Sequence, residues 1–80
     1  MPSASIDFDL RGEFIELNQL LKLAGLCNSG GEGKMLVAQG LVKVDGAVEL
    51  RKTYKVRAGQ LVSYRNTVIK VLADQQDVRA

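Results

Sequence analysis

Leu17, Leu20, Leu21 and Ala24 recur at i, i+3, i+4 and i+7, the spacing of one face of a helix. Gly25 follows and can take the left-handed conformation that ends such a helix. Asn28 and Ser29 are good N-cap residues, and Glu32 lies three after Ser29, so Ser-Gly-Gly-Glu reads as a capping box. It opens a second helix with Gly33, Leu36, Val37 and Gly40 on one side and Gly40 as its terminator. The expected helices span 16–25 and 29–39. Beyond them the period shifts from 3.6 to 2. Val42 and Val44 alternate with Lys43, and Asp45-Gly46 is a two-residue hairpin turn because both residues tolerate positive φ. Val48 begins the return strand. Leu61, Val62 and Tyr64 lead to a turn at Arg65-Asn66 and a last strand over 67–72. Near the start, Ile6, Phe8 and Leu10 alternate with polar residues and predict an edge strand over 5–10. The polar stretch 73–80 is expected to fray.

The outline is α+β: two short helices packed on a small antiparallel sheet with a β-hairpin. Eighty residues suit a single domain, 1–80, with a small core. Leu17, Leu20, Leu21, Val37, Val42, Val44, Val56 and Leu61 are the residues expected to fill it.

Charge changes the picture more than composition does. The net charge is only +2. Residues 1–33 hold two cations against five carboxylates, whereas 34–72 hold eight cations against two. A basic face, and hence an anionic partner, follows from that asymmetry. No stretch approaches the roughly 20 apolar residues of a membrane span. Asp7 and Asp9 near the N-terminus do not fit a signal peptide. The single cysteine, Cys27, suits a reducing compartment, so the expected location is the cytoplasm and the expected state a monomer.

The segment Ser29-Gly-Gly-Glu-Gly-Lys-Met35 invites a nucleotide-binding reading, which fails on spacing. A P-loop would need glycine where Asn28 stands and a hydroxyl where Met35 stands. The dinucleotide fingerprint would need a third glycine at Leu36. With no histidine and one cysteine the chain lacks the commonest catalytic base and any Cys/His zinc set, so neither an enzyme nor a cofactor is expected. Cys27 reads as a small packing residue. Two physical roles remain for the glycines. They expose the amides of Gly30 and Gly31 at the positive end of a helix, where a phosphate can approach. They also permit a tight turn and close packing on the first helix. The two roles are compatible. Lys34, one turn further on, adds a charge near that end, and Lys43, between two inward valines, should point to solvent.

Together, "LNQLLKLAG", "SGGEGKMLVAQGLVKVDGAV" and "RKTYKVRAGQLVSY" resemble the S4-like RNA-binding domain, or αL motif, with a core over 17–64. Many members carry an arginine directly after the serine that opens the second helix; here that position is Gly30. The double-glycine form resembles a small stand-alone bacterial subgroup. The resemblance implies a ribosome-associated or similar RNA-binding protein that contacts structured RNA, ribosomal or transfer. It implies binding through Gly30, Gly31, Lys34, Lys43, Arg51, Lys52, Lys55 and Arg57. The missing arginine shifts the expected weight onto Lys34 and the segment 51–57. Tyr54, the one aromatic inside that segment, either stacks on an unpaired base or packs against the hairpin. The alternative is a protein-interaction module whose same basic face binds an acidic partner.

Overall fold

The computed structural model describes residues 4–73. In chain order the elements are β1 (Ala4–Asp9), β2 (Ile15–Glu16), α1 (Leu17–Leu23), α2 (Gly30–Ala38), β3 (Val42–Val44), β4 (Ala47–Val48), β5 (Lys55–Val56), β6 (Leu61–Tyr64) and β7 (Thr67–Leu72). Five strands form a sheet in the order β1-β7-β6-β3-β4, while β2 and β5 form a separate two-stranded ladder. All neighbours in the sheet are antiparallel except β1, which runs parallel to β7 and pairs Ile6 with Ile69 and Phe8 with Val71. The predicted edge strand is therefore present, one residue earlier than expected. Its parallel direction follows from the connection, which crosses the whole domain before β7 returns beside it.

Both helices end in the same way. The N–H groups of Gly25 and Leu26 donate to the carbonyls of Lys22 and Leu21, and Gly40 and Leu41 repeat the pattern with Val37 and Leu36. This double bond needs a left-handed residue, and φ is 84° at Gly25 and 77° at Gly40. At its start, α2 has the expected cap, since Ser29 Oγ accepts from the N–H of Glu32 at 3.1 Å. The return bond reaches one residue further back than a standard box: Glu32 Oε1 accepts from the N–H of Asn28 at 2.7 Å.

Leu17, Leu20 and Leu21 of α1 and Val37 of α2 are fully buried against Val42, Val44, Val62, Ile69 and Val71 on the inner face of the sheet. Val56 closes the core from the two-stranded ladder. Burying each such side chain contributes about 1.5–3 kcal/mol. One expected core residue is wrong: Leu61 is 47% exposed, and Val62 is buried in its place. The register decides this, because β6 pairs Val62 with Val44 and Ile69, both inward. A one-residue offset sends Leu61 to the opposite face.

At Asp45-Gly46 both φ angles are positive, 52° and 88°, as the hairpin turn requires. The Asp45 carboxylate accepts from the N–H of Leu61 at 3.0 Å and from Gln60 Nε2 at 3.0 Å. The hydrogen bond from Leu61, then that from Gln60, holds its pKa below the ordinary carboxylate value. Asp45 thus makes the turn and fastens it to the start of β6.

Candidate nucleic-acid interface

The basic segment is held by the helix it follows in space. α1 has no side-chain cap. Instead the N–H of Leu17 donates to Tyr54 O at 2.8 Å and that of Asn18 to Lys52 O at 3.2 Å. Loop carbonyls therefore satisfy the first amides of the helix, while the charged side chains of Arg51, Lys52 and Lys55 are exposed. The β2–β5 ladder continues the anchorage, pairing Glu16 with Lys55 and Ile15 with Val56. Arg51, Tyr54, Lys55 and Arg57 line one shallow depression of about 450 Å3.

Asn18 links this loop to the second helix. It is 1% exposed, its N–H is bound to Lys52 O, and its Nδ2 donates to Gly30 O at 3.4 Å. Its Oδ1 is buried without a partner among the described residues. Asn18 therefore touches both the start of α2, at Gly30, and the basic loop, at Lys52. Packing of the two helices is close. A Cβ on Gly33 would lie 2.6 Å from the backbone oxygen of Asn18, and one on Gly30 would lie 2.7 Å from Gln19 Nε2. Gly31 meets only Ser29 Oγ, at 3.8 Å. Gly33 thus serves helix packing, whereas Gly31 stands in open space with its amide at the positive end of α2. The Glu32 carboxylate at the same end accepts the Asn28 N–H and adds a negative charge that a phosphate would meet.

Lys34 and Lys52 are exposed, as are the other four cations named from sequence. Lys43 lies elsewhere: on the outer face of β3 it lines a second depression, about 360 Å3, with Gly40, Leu41, Ser63 and Arg65. Arg65 was not among the sequence candidates. It occupies the β6–β7 turn, and its guanidinium sits 5.2 Å from the centre of the Tyr64 ring.

Two further features escaped the sequence. Arg51 is paired with Glu49, Nε to Oε2 at 2.8 Å and a second nitrogen to Oε1 at 3.2 Å. The Arg51 side-chain hydrogen bond lowers the pKa of Glu49, and the same bond raises that of Arg51, so both stay charged near neutrality. Phe14 lies 5.0 Å from Lys55 Nζ and 5.9 Å from Arg57 Cζ, ring centre to cation. It is some forty residues from them in sequence, so no local pattern could reveal it. Tyr54 packs by the hairpin: it is half-buried against the core and its hydroxyl is bound to Gln60 Nε2 at 3.1 Å. The side chain that holds Tyr54 is the one bound to Asp45. Cys27 is also a packing residue; its Sγ donates to Ser29 O at 3.3 Å and burial raises its pKa, which keeps the thiol protonated.

A helix pair, a β-hairpin and a cationic loop in this arrangement match known proteins. The S4 domain family model matches residues 8–72. The chain belongs to the S4 domain family. YbcJ of Escherichia coli K12 is 51% identical over 59 residues, spanning 74% of this chain and 84% of YbcJ. The solution structure of E. coli YbcJ, reported to reveal an αL motif involved in RNA-binding, aligns with a TM-score of 0.66 at 47% identity, over 84% of this chain and 86% of that one. The tyrosine–tRNA ligase of Ralstonia nicotianae is 44% identical over 62 residues, 78% of this chain but only 16% of the ligase. This S4 domain thus corresponds to a small part of that enzyme. Among the described residues no helix is long and apolar enough to cross a membrane, and no three His, Cys, Asp or Glu side chains are grouped to hold a metal.

Proposed function

We propose that this S4 domain binds structured RNA, ribosomal or transfer, by holding its phosphate backbone. It would act as a cytoplasmic monomer, one domain over 1–80, without a cofactor. The observation that carries the reading is Asn18, whose backbone and side chain join Lys52 of the basic loop to Gly30 of α2. In this reading the phosphates meet Gly30, Gly31 and Lys34 at the α2 terminus and Arg51, Lys52, Lys55 and Arg57 of the loop, with Lys43 on the outer face of the sheet as a separate contact. Lysine and arginine contacts to phosphate position a protein without reading bases, and A-form RNA is recognised mainly by shape. The test is titration of a structured RNA at several salt concentrations. For about four to six phosphates neutralised, log affinity should fall with log salt with a slope of about −3 to −5. A slope near zero would refute the mechanism, and partners that persist in pulldowns after nuclease treatment would then identify an acidic protein as the ligand.

Glu49 restrains this interface. Its carboxylate occupies two of the guanidinium nitrogens of Arg51, and its lowered pKa means that no pH near neutrality removes the charge. Glu49→Gln should therefore bind RNA more tightly than wild type, with a salt slope steeper by up to about 0.7–0.9, one phosphate contact. The same titrations check it; weaker binding would show that Glu49 positions Arg51 for the RNA instead of occupying it.

A further inference from the structure

Phe14 also lines a hollow of about 370 Å3, together with Phe8, Asp9, Leu10, Arg11, Ile15 and Leu23. We propose that this hollow takes a single unpaired RNA base, with Phe14 as the residue that selects it. The inference rests on the RNA-binding reading above and deepens it: the ligand would be a helix with an extrahelical or loop nucleotide beside it, not uninterrupted duplex.

The argument starts from what the hollow would reject and accept. Its lining is mainly apolar, and two of its walls remain open to solvent, Leu23 at 60% exposure and Phe14 at 38%. Its volume lies at the small end of ligand pockets, roughly 300–1,000 Å3. Two charged groups line it: the Asp9 carboxylate, which can accept from the N–H groups on a base edge, and the Arg11 guanidinium, which has a partner of its own. The surroundings of Phe14 add two further cations: Lys55 Nζ and Arg57 Cζ lie 5.0 and 5.9 Å from its ring centre. A flat, mostly apolar group that carries an anion at its edge fits both halves. A nucleotide has that form, with the base against the ring and its phosphate towards the two cations. Base–aromatic stacking tolerates any base, so Phe14 should select unpaired over paired nucleotides more strongly than one base over another.

The test uses the full chain, one RNA hairpin, and the same hairpin with a single bulged nucleotide, in four versions that carry each base. At fixed salt the wild type should prefer the bulged RNAs by roughly 5- to 150-fold, the range expected for one stacked base. Phe14→Leu keeps apolar bulk without the ring; it should lose that preference, binding plain and bulged hairpins alike. Phe14→Trp should retain the preference. Circular dichroism melts of both variants check that they fold. Equal affinity of the wild type for plain and bulged hairpins, with a normal salt slope, would overturn the inference and leave backbone binding standing. A preference that survives Phe14→Leu would overturn the assignment to Phe14. Absence of salt-dependent binding to every RNA would overturn both readings.

Discussion

Gly33→Val will destabilise the domain by about 1–3 kcal/mol or more, the cost of forcing bulk into a packed site. Gly31→Ala, two residues away in the same helix, will leave stability unchanged or raise it. The contrast comes from what each new side chain meets. At Gly33 the first added carbon would lie 2.6 Å from Asn18 O, with the Asn18 carbonyl carbon and Cα both at 3.2 Å. These are backbone atoms of α1, which cannot rotate away as the end of a flexible side chain can. The helices must separate, and Asn18, Leu17 and Leu21 move with them. At Gly31 an added Cβ meets nothing nearer than 3.8 Å, and alanine is favoured over glycine in a helix by up to about 1 kcal/mol. Loss of 1 kcal/mol shifts the midpoint of a domain this small by about 4–8 °C, so thermal melts resolve the two variants easily. If Gly33→Val melted with the wild type, the close approach of α1 and α2 would be wrong, and so would the junction at Asn18, which touches both the start of α2 and the basic loop.

Elements with strong local signals were legible in the sequence. The α1 face, the Ser29 cap, the glycine terminators and the Asp45-Gly46 turn are each decided within a few residues, and the structure places them within two residues of expectation. What depended on pairing was not legible. Leu61 and Val62 are adjacent and both apolar, so only the register with β3 and β7 shows which one faces the core. The strand at Ala4–Asp9 could be read from its alternation, but its parallel partner could not. The candidate site divides along the same line. The cations of 51–57 form an obvious run, and Glu49 stands only two residues from Arg51, but the ring beneath Lys55 and Arg57 enters only through folding. Lys43 and Arg65, 22 positions apart, share a depression because β3 pairs with β6.

The double variant Lys55→Gln/Arg57→Gln will reduce RNA affinity about equally for RNAs of different sequence, and will lessen the salt slope by about 1.4–1.8. Both side chains are exposed, and both approach Phe14 beside the loop that caps α1. Removing two phosphate contacts removes two counterion-release terms, whatever the base sequence, which is why the loss should be uniform. Glutamine is chosen over glutamate for a structural reason. Lys55 stands opposite Glu16 in the β2–β5 ladder, and a carboxylate there would face a like charge and weaken the strand pair itself. With glutamine the melting midpoint should stay near that of the wild type, since neither side chain is part of the core. Arg57 also donates to the Glu13 carbonyl, at 3.4 Å, a long and exposed contact whose loss should matter little. Arg51→Gln makes the informative control. Its guanidinium is already engaged by Glu49, so its removal should lessen the slope by less than half as much as the double variant does. A double variant with wild-type affinity and slope would place the RNA elsewhere, on Lys34 and the α2 terminus or on the Lys43–Arg65 depression. An Arg51→Gln effect as large as that of the pair would show that the guanidinium leaves Glu49 when RNA binds.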